Sequence, residues 1–106
     1  MIVKTFDDTV DNFITQLEKP IGTKVARHID LLKQFGNQLR MPYSKSLGNH
    51  LFELRIRGQQ EVRIFYTFHE NKAVLLHGFI KKTQKTPARE IETAMVKVKT
   101  LTPLET

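Results

Sequence analysis

Between Leu51 and Phe68 the apolar period of the chain changes from about four to two, and that change constrains the fold more than any other feature. In "LFELRIR" Phe52, Leu54 and Ile56 fall on one side, with Glu53, Arg55 and Arg57 on the other. After the short loop "GQQ" the pattern resumes in "EVRIFYTF", where Val62, Ile64, Tyr66 and Phe68 alternate with Glu61, Arg63, Phe65 and Thr67. Successive side chains of a strand point to opposite sides of the pleat, so such alternation marks an antiparallel hairpin with two chemically different faces. "HENK" (69–72) makes the next turn, and "AVLLHGFIK" (73–81) reads as a third strand, apolar on both faces and therefore central. Continuing the count puts Val74, Leu76 and Ile80 with Ile64, and His77, Phe79 and Lys81 with Arg63 and Phe65.

The flanking segments are helical. "IVKTF" (2–6) suits a short first strand, and Asp7, Asp8 and Thr9 offer capping oxygens to a helix carrying Val10, Phe13, Ile14 and Leu17. Pro20 is expected to close that helix. A second follows on Val25, Ile29, Leu32 and Phe35 or Leu39, with Gly36 near its end. "RMPYSKSLGN" (40–49) reads as a loop. Thr86 and Pro87 open a last helix with a stripe of Ile91, Ala94, Met95, Val98 and Leu101. The expected fold is α+β: an antiparallel sheet with two N-terminal helices on one face and a C-terminal helix, forming one domain over residues 1–106.

Charge narrows the function. Residues 1–39 balance five bases with five acids, whereas residues 40–89 carry ten bases against Glu53, Glu61 and Glu70. The whole excess of a chain with net charge +6 therefore lies in one stretch, which suits a polyanionic partner such as nucleic acid; a solvated basic face that only keeps the chain soluble is the plainer explanation. With no cysteine, disulfides and thiolate metal sites are excluded. No apolar run approaches the ~18 residues that cross a bilayer, and "MIVKTFDDT" lacks the features of a signal peptide, so a cytoplasmic location without membrane contact is expected.

If "GQQ" closes a simple hairpin, Arg57 faces Glu61 and Arg55 faces Arg63. Two guanidinium groups side by side normally destabilise a sheet, and their forks match phosphate oxygens. One face would then carry Arg55, Arg57, Arg63, His77 and Lys81, with Phe65 and Phe79 among them. Cations beside aromatic rings are what single-stranded RNA needs, although two buried phenylalanines under the last helix would be an ordinary core.

The strings "LFELRIRGQQEVRIFYTF" and "LLHGFIKKTQKTPAREIETA" resemble the RelE/ParE toxin superfamily, and within it the HigB-like, phage-associated toxins of type II toxin–antitoxin systems. The likeness runs over roughly residues 1–100. It implies a RelE-like microbial RNase fold and an endoribonuclease that cuts mRNA, typically on the ribosome, without metal or cofactor. It also implies a cognate antitoxin, often a helix-turn-helix protein. The basic positions of the family fall on Arg55, Arg57, Arg63, Lys81 and Lys82, whereas the catalytic tyrosine or histidine of some relatives has no counterpart after Lys82, where the chain reads "TQKT".

Metal-free cleavage needs a base for the 2′-hydroxyl proton, an acid for the leaving oxygen, and positive charge at the phosphorus. Guanidinium stays protonated, so Arg55 and Arg63 suit charge stabilisation. A lysine among like charges favours its neutral form, which makes Lys81 or Lys82 a candidate base, and His77 is suited to proton transfer in either direction. Arg57, Phe65, Phe79, Gln84, Lys85, Arg40 and Lys45 complete the candidate RNA contacts. The competing readings are a gyrase-directed, ParE-like toxin and a non-catalytic RNA-binding protein. On this reading, Arg63→Ala is expected to abolish growth inhibition while leaving the fold intact.

Overall fold

The computed structural model describes residues 1–101, so the end of the expected domain, residues 102–106, lies outside the described residues. The chain runs β1 (Ile2–Thr5), α1 (Asp8–Thr15), α2 (Lys19–Phe35), a 3₁₀ turn (Gly36–Gln38), β2 (Ser44–Gly48), β3 (Leu51–Ile56), β4 (Glu61–His69), β5 (Lys72–Lys81) and α3 (Ala88–Leu101). The five strands form one sheet in the order β1-β5-β4-β3-β2. Helices α1 and α2 cover one face, where Val10, Val25 and Leu32 meet Leu54, Ile56, Ile64 and Tyr66. Helix α3 covers the other, packing Ala94 and Val98 on Leu51, Phe65, Val74 and Leu76. The α+β class and both helix layers are as expected from the sequence.

Local chemistry accounts for most boundaries. Asp7 caps α1 by accepting a hydrogen bond from the Val10 amide at 3.2 Å. Gly36 ends α2 at φ 55°, a conformation that other residues adopt only with strain. Two-residue turns with both residues at positive φ join β2 to β3 (Asn49 and His50) and β4 to β5 (Glu70 and Asn71), the geometry that matches the twist of paired strands.

Four expectations are corrected. Pro20 lies in the first turn of α2, where it starts that helix instead of ending α1. Segment 40–49 contains an edge strand, β2, paired with β3 through Ser44↔Leu54 and Lys45↔Glu53. The sheet is mixed, because β1 runs parallel to β5 (Ile2↔Lys72 to Thr5↔Leu75); the crossover carrying α1 and α2 makes that pairing possible. Finally, Val74 and Leu76 do not share a face with Ile64. Opposite Phe65 and Tyr66 the register of β5 slips from His77 to Leu75, leaving Leu76 as an extra residue. This β-bulge sends Val74, Leu76 and Phe79 to α3, and Ala73, Leu75 and Ile80 to α1 and α2.

The bulge is held from both sides. Lys97 of α3 donates from Nζ to the Leu76 carbonyl at 2.7 Å, lies 3.2 Å from Asp7 Oδ2 and sits over the Phe6 ring. On the opposite face the Phe13 ring of α1 rests on Gly78, where an added Cβ would come within 2.5 Å of it. Gly78→Ala is therefore expected to destabilise the chain by about 1–3 kcal/mol through overpacking, read as a lower urea midpoint, and combining it with Phe13→Leu should recover part of the loss.

Candidate nucleic-acid interface

The α3 side of the sheet presents its polar residues in rows across the strands. One row runs from Lys45 of β2 to Glu53 of β3, Phe65 of β4 and His77 of β5. The next runs through Arg55, Arg63 and Phe79, and the outermost pairs Glu61 with Lys81. The structure thus brings Arg55, Arg63 and Lys81 to one end of one face, with Arg55 directly opposite Arg63 as the sequence pattern predicts. Helix α3 covers Phe65, His77 and Phe79 of these rows, and the loop that precedes it, with Lys82, Gln84 and Lys85 exposed, follows Lys81 at the same end.

The paired guanidinium groups already have anions of their own. Arg63 is only 1% exposed, and its Nη2 donates to Glu61 Oε2 at 2.7 Å. Glu53 Oε1 lies 3.5 Å from Arg55 Nε and 3.8 Å from Arg63 Nε, between the two cations. Neither of these buried Nε atoms has a hydrogen-bond partner, so the attraction to Glu53 is electrostatic at a distance. Glu53 Oε2 accepts from the Thr86 hydroxyl at 3.4 Å, which ties the β5–α3 loop into the network. The expected Arg57–Glu61 ion pair is replaced by Arg63–Glu61. Repulsion between Arg55 and Arg63 therefore needs no bound phosphate to explain it: the two carboxylates interleave the charges within the protein.

Burial corrects the aromatic part of the expectation. Phe65 is 0% exposed and Phe79 7% exposed, both in the core beneath α3, so neither offers a face to a base. His77 packs beside both rings, at centroid distances of 6.4 Å from Phe65 and 6.0 Å from Phe79. Its Nε2 meets Glu90 Oε1 of α3 at 2.8 Å, a carboxylate partner that spacing along the chain does not reveal. Arg40, which precedes β2, is exposed and donates to the Asn37 carbonyl at 2.8 Å. Among the described residues, no carboxylate lies within ion-pairing distance of Lys45, Arg57, Lys81, Lys82 or Lys85. All of these are exposed except Lys81, which is half-buried. Also among the described residues, no three His, Asp or Glu side chains converge as a metal site.

The hydrogen bond from Arg63 holds the Glu61 carboxyl below its usual range, against a smaller opposing effect of burial. A depressed folded-state value stabilises the fold above the unfolded value, and that contribution disappears as pH falls through the folded value. Arg63→Met leaves Glu53 and Glu61 without their shared cation, so a loss of about 3–5 kcal/mol is expected, in place of the intact fold anticipated for Arg63→Ala. Between about pH 5 and pH 3 the stability of Arg63→Met should fall less steeply than that of the unaltered protein, checked by urea unfolding across that range.

No curated protein matches this sequence significantly. The family described as phage-derived protein Gp49-like (DUF891) matches residues 12–99, which run from α1 into α3 and include every strand of the sheet face described above. With most of its length matched, the chain belongs to the Gp49-like phage-derived protein family, a toxin–antitoxin toxin family related to the RelE type.

Proposed function

We propose that this chain is the HigB-like toxin of a type II toxin–antitoxin system and an endoribonuclease that cuts mRNA on the ribosome using side-chain charge alone. The observation that carries the reading is the group of cations that have no carboxylate partner among the described residues at the open end of the sheet, Arg57, Lys81, Lys82 and Lys85, with Lys45 along the same face. They border a rigid frame of Arg55, Arg63, Glu53 and Glu61 on a member of a toxin family. A basic rim on a stiff sheet supplies phosphate attraction and fixed charge together.

In this reading the 2′-hydroxyl oxygen of one nucleotide bonds to the adjacent phosphorus as its proton passes to a base. The bond to the 5′-oxygen breaks, and that oxygen takes up a proton from the Lys82 ammonium, leaving a 2′,3′-cyclic phosphate and a 5′-hydroxyl. Arg55, Arg57 and Lys82 face the charge that grows on the phosphorane oxygens, and Lys81, half-buried at the end of the same face, is the base. Arg63 is a positioning residue, holding Glu53 and Glu61 so that Arg55 and Lys81 stay in register. His77 acts through Nδ1, the ring nitrogen that Glu90 does not engage. Lys45, Gln84, Lys85 and Arg40 contact flanking phosphates. The antitoxin, a helix-turn-helix protein in this reading, is the protein partner.

A second reading, RNA binding without cleavage, is favoured by the internal pairing of Arg63 with Glu61 and of His77 with Glu90. Mapping mRNA 5′ ends after induced expression separates the two. New ends within translated regions are expected, and Lys81→Ala with Lys82→Ala should slow their appearance by about 10²–10³ at an unchanged unfolding midpoint. Growth arrest with DNA damage and no new ends would assign a gyrase-directed toxin instead.

A further inference from the structure

A second group of cations gathers where α2 passes the end of β3, and it includes side chains that the nuclease chemistry above does not use. Lys24, Arg27 and His28 on one stretch of α2, Tyr43 just before β2, and Arg55 and Arg57 at the end of β3 line a groove of about 260 Å³. No acidic residue lines it. Among the described residues, Lys24, Arg27 and Arg57 have no carboxylate within ion-pairing distance, and Arg55 has only its 3.5 Å approach to Glu53.

The walls are fixed by hydrogen bonds. Lys24 Nζ donates to the Arg57 carbonyl at 2.8 Å, joining α2 to the end of β3, and the Arg55 amide donates to the Tyr43 carbonyl at 2.8 Å. The His28 ring reaches the Lys24 carbonyl through Nδ1 at 2.7 Å. A carbonyl only accepts, so Nδ1 carries the hydrogen and Nε2 is left for another partner. His28 also packs edge-on to the Tyr43 ring, with centroids 5.6 Å apart at 66°. Tyr43 is 41% exposed, which leaves an aromatic surface steadied by His28 and flanked by guanidinium groups.

An open aromatic ring beside unpaired guanidinium groups matches one unstacked nucleotide: the base lies on the ring, and the phosphate on the cations. We infer that the groove between α2 and the end of β3 is a subsite for single-stranded RNA, with Tyr43 stacking on a base and Arg27 and Arg57 holding its phosphate. The inference deepens the RNA reading of the basic sheet end and rests on it for the identity of the polymer. Arg55 borders both places, so a strand lying at Lys81 and Lys82 continues past it into the groove. Tyr43 thereby supplies the aromatic platform that the buried Phe65 and Phe79 do not.

The test is fluorescence anisotropy of the full chain with a short, labelled, 2′-O-methylated oligoribonucleotide, which cannot be cut by attack of a 2′-hydroxyl. Tyr43→Ala is expected to weaken binding roughly tenfold, with Tyr43→Phe restoring it. Arg27→Ala should weaken binding and lower the slope of log affinity against log salt by about 0.7. Both positions are at the surface, and circular dichroism and the thermal midpoint should stay as in the unaltered protein. Affinity unchanged in both alanine variants, no rescue by phenylalanine, or no binding by the unaltered chain overturns the subsite. The cleavage assay is read separately: weakened binding without any mRNA cutting keeps the groove and removes the nuclease, and cutting with unweakened variants does the reverse.

Discussion

Lys97 ties α3 to three other parts of the molecule at once. Its ammonium meets the carbonyl of the extra residue in β5, the carboxylate that caps α1, and the ring of Phe6. A bulge frees backbone groups that a buried sheet must satisfy elsewhere, and a charge-assisted bond from α3 does so here. Because Leu76 is accommodated in this way, β5 changes face between Leu75 and His77. His77, Phe79 and Lys81 therefore join Arg63 on the α3 side, and Val74 and Leu76 still reach the same core. Both the composition of the basic end and the seating of α3 depend on that one register slip.

The charge network at the other end of the face is largely self-contained. A guanidinium as deeply buried as that of Arg63 is tolerated only with close carboxylates, and Glu61 and Glu53 supply them. The remaining positive charge is displaced outward to Lys81, Lys82, Lys85 and Arg57 at the rim. A sheet end that is neutralised inside and basic outside attracts a polyanion without drawing a phosphate into the core. It also assigns different work to neighbouring arginines of one hairpin: Arg63 holds the frame, and Arg57 faces solvent.

Much of this was legible in the sequence. Period-two alternation gave β3, β4 and the Arg55↔Arg63 register, because "GQQ" leaves a simple hairpin little freedom. Helical spacing placed α2 and the α3 stripe, and Asp7 announced its cap. What was missed has physical causes. Strand β2 is short, polar and on the sheet edge, so it has no alternation to detect, and only Gly48, Asn49 and His50 hint at its turn. Pro20 reads equally well as a stop or a start. The bulge depends on a lysine twenty-one residues away. Spacing left Phe65 and Phe79 open between a core under the last helix and an RNA platform, and the packing of α3 decides for the core; it could not show that Tyr43 and His28, distant in sequence, share an edge-on contact.

The parallel pairing of Ile2–Thr5 with Lys72–Leu75 has a consequence for how the chain is made. Strand β1 waits for β5, made much later, so the sheet cannot close along that edge until β5 has left the ribosome. Long sequence separation between partners slows folding and keeps early segments unpaired. For a chain of a toxin family, that delay withholds the finished sheet until its central strands and its first strand can meet.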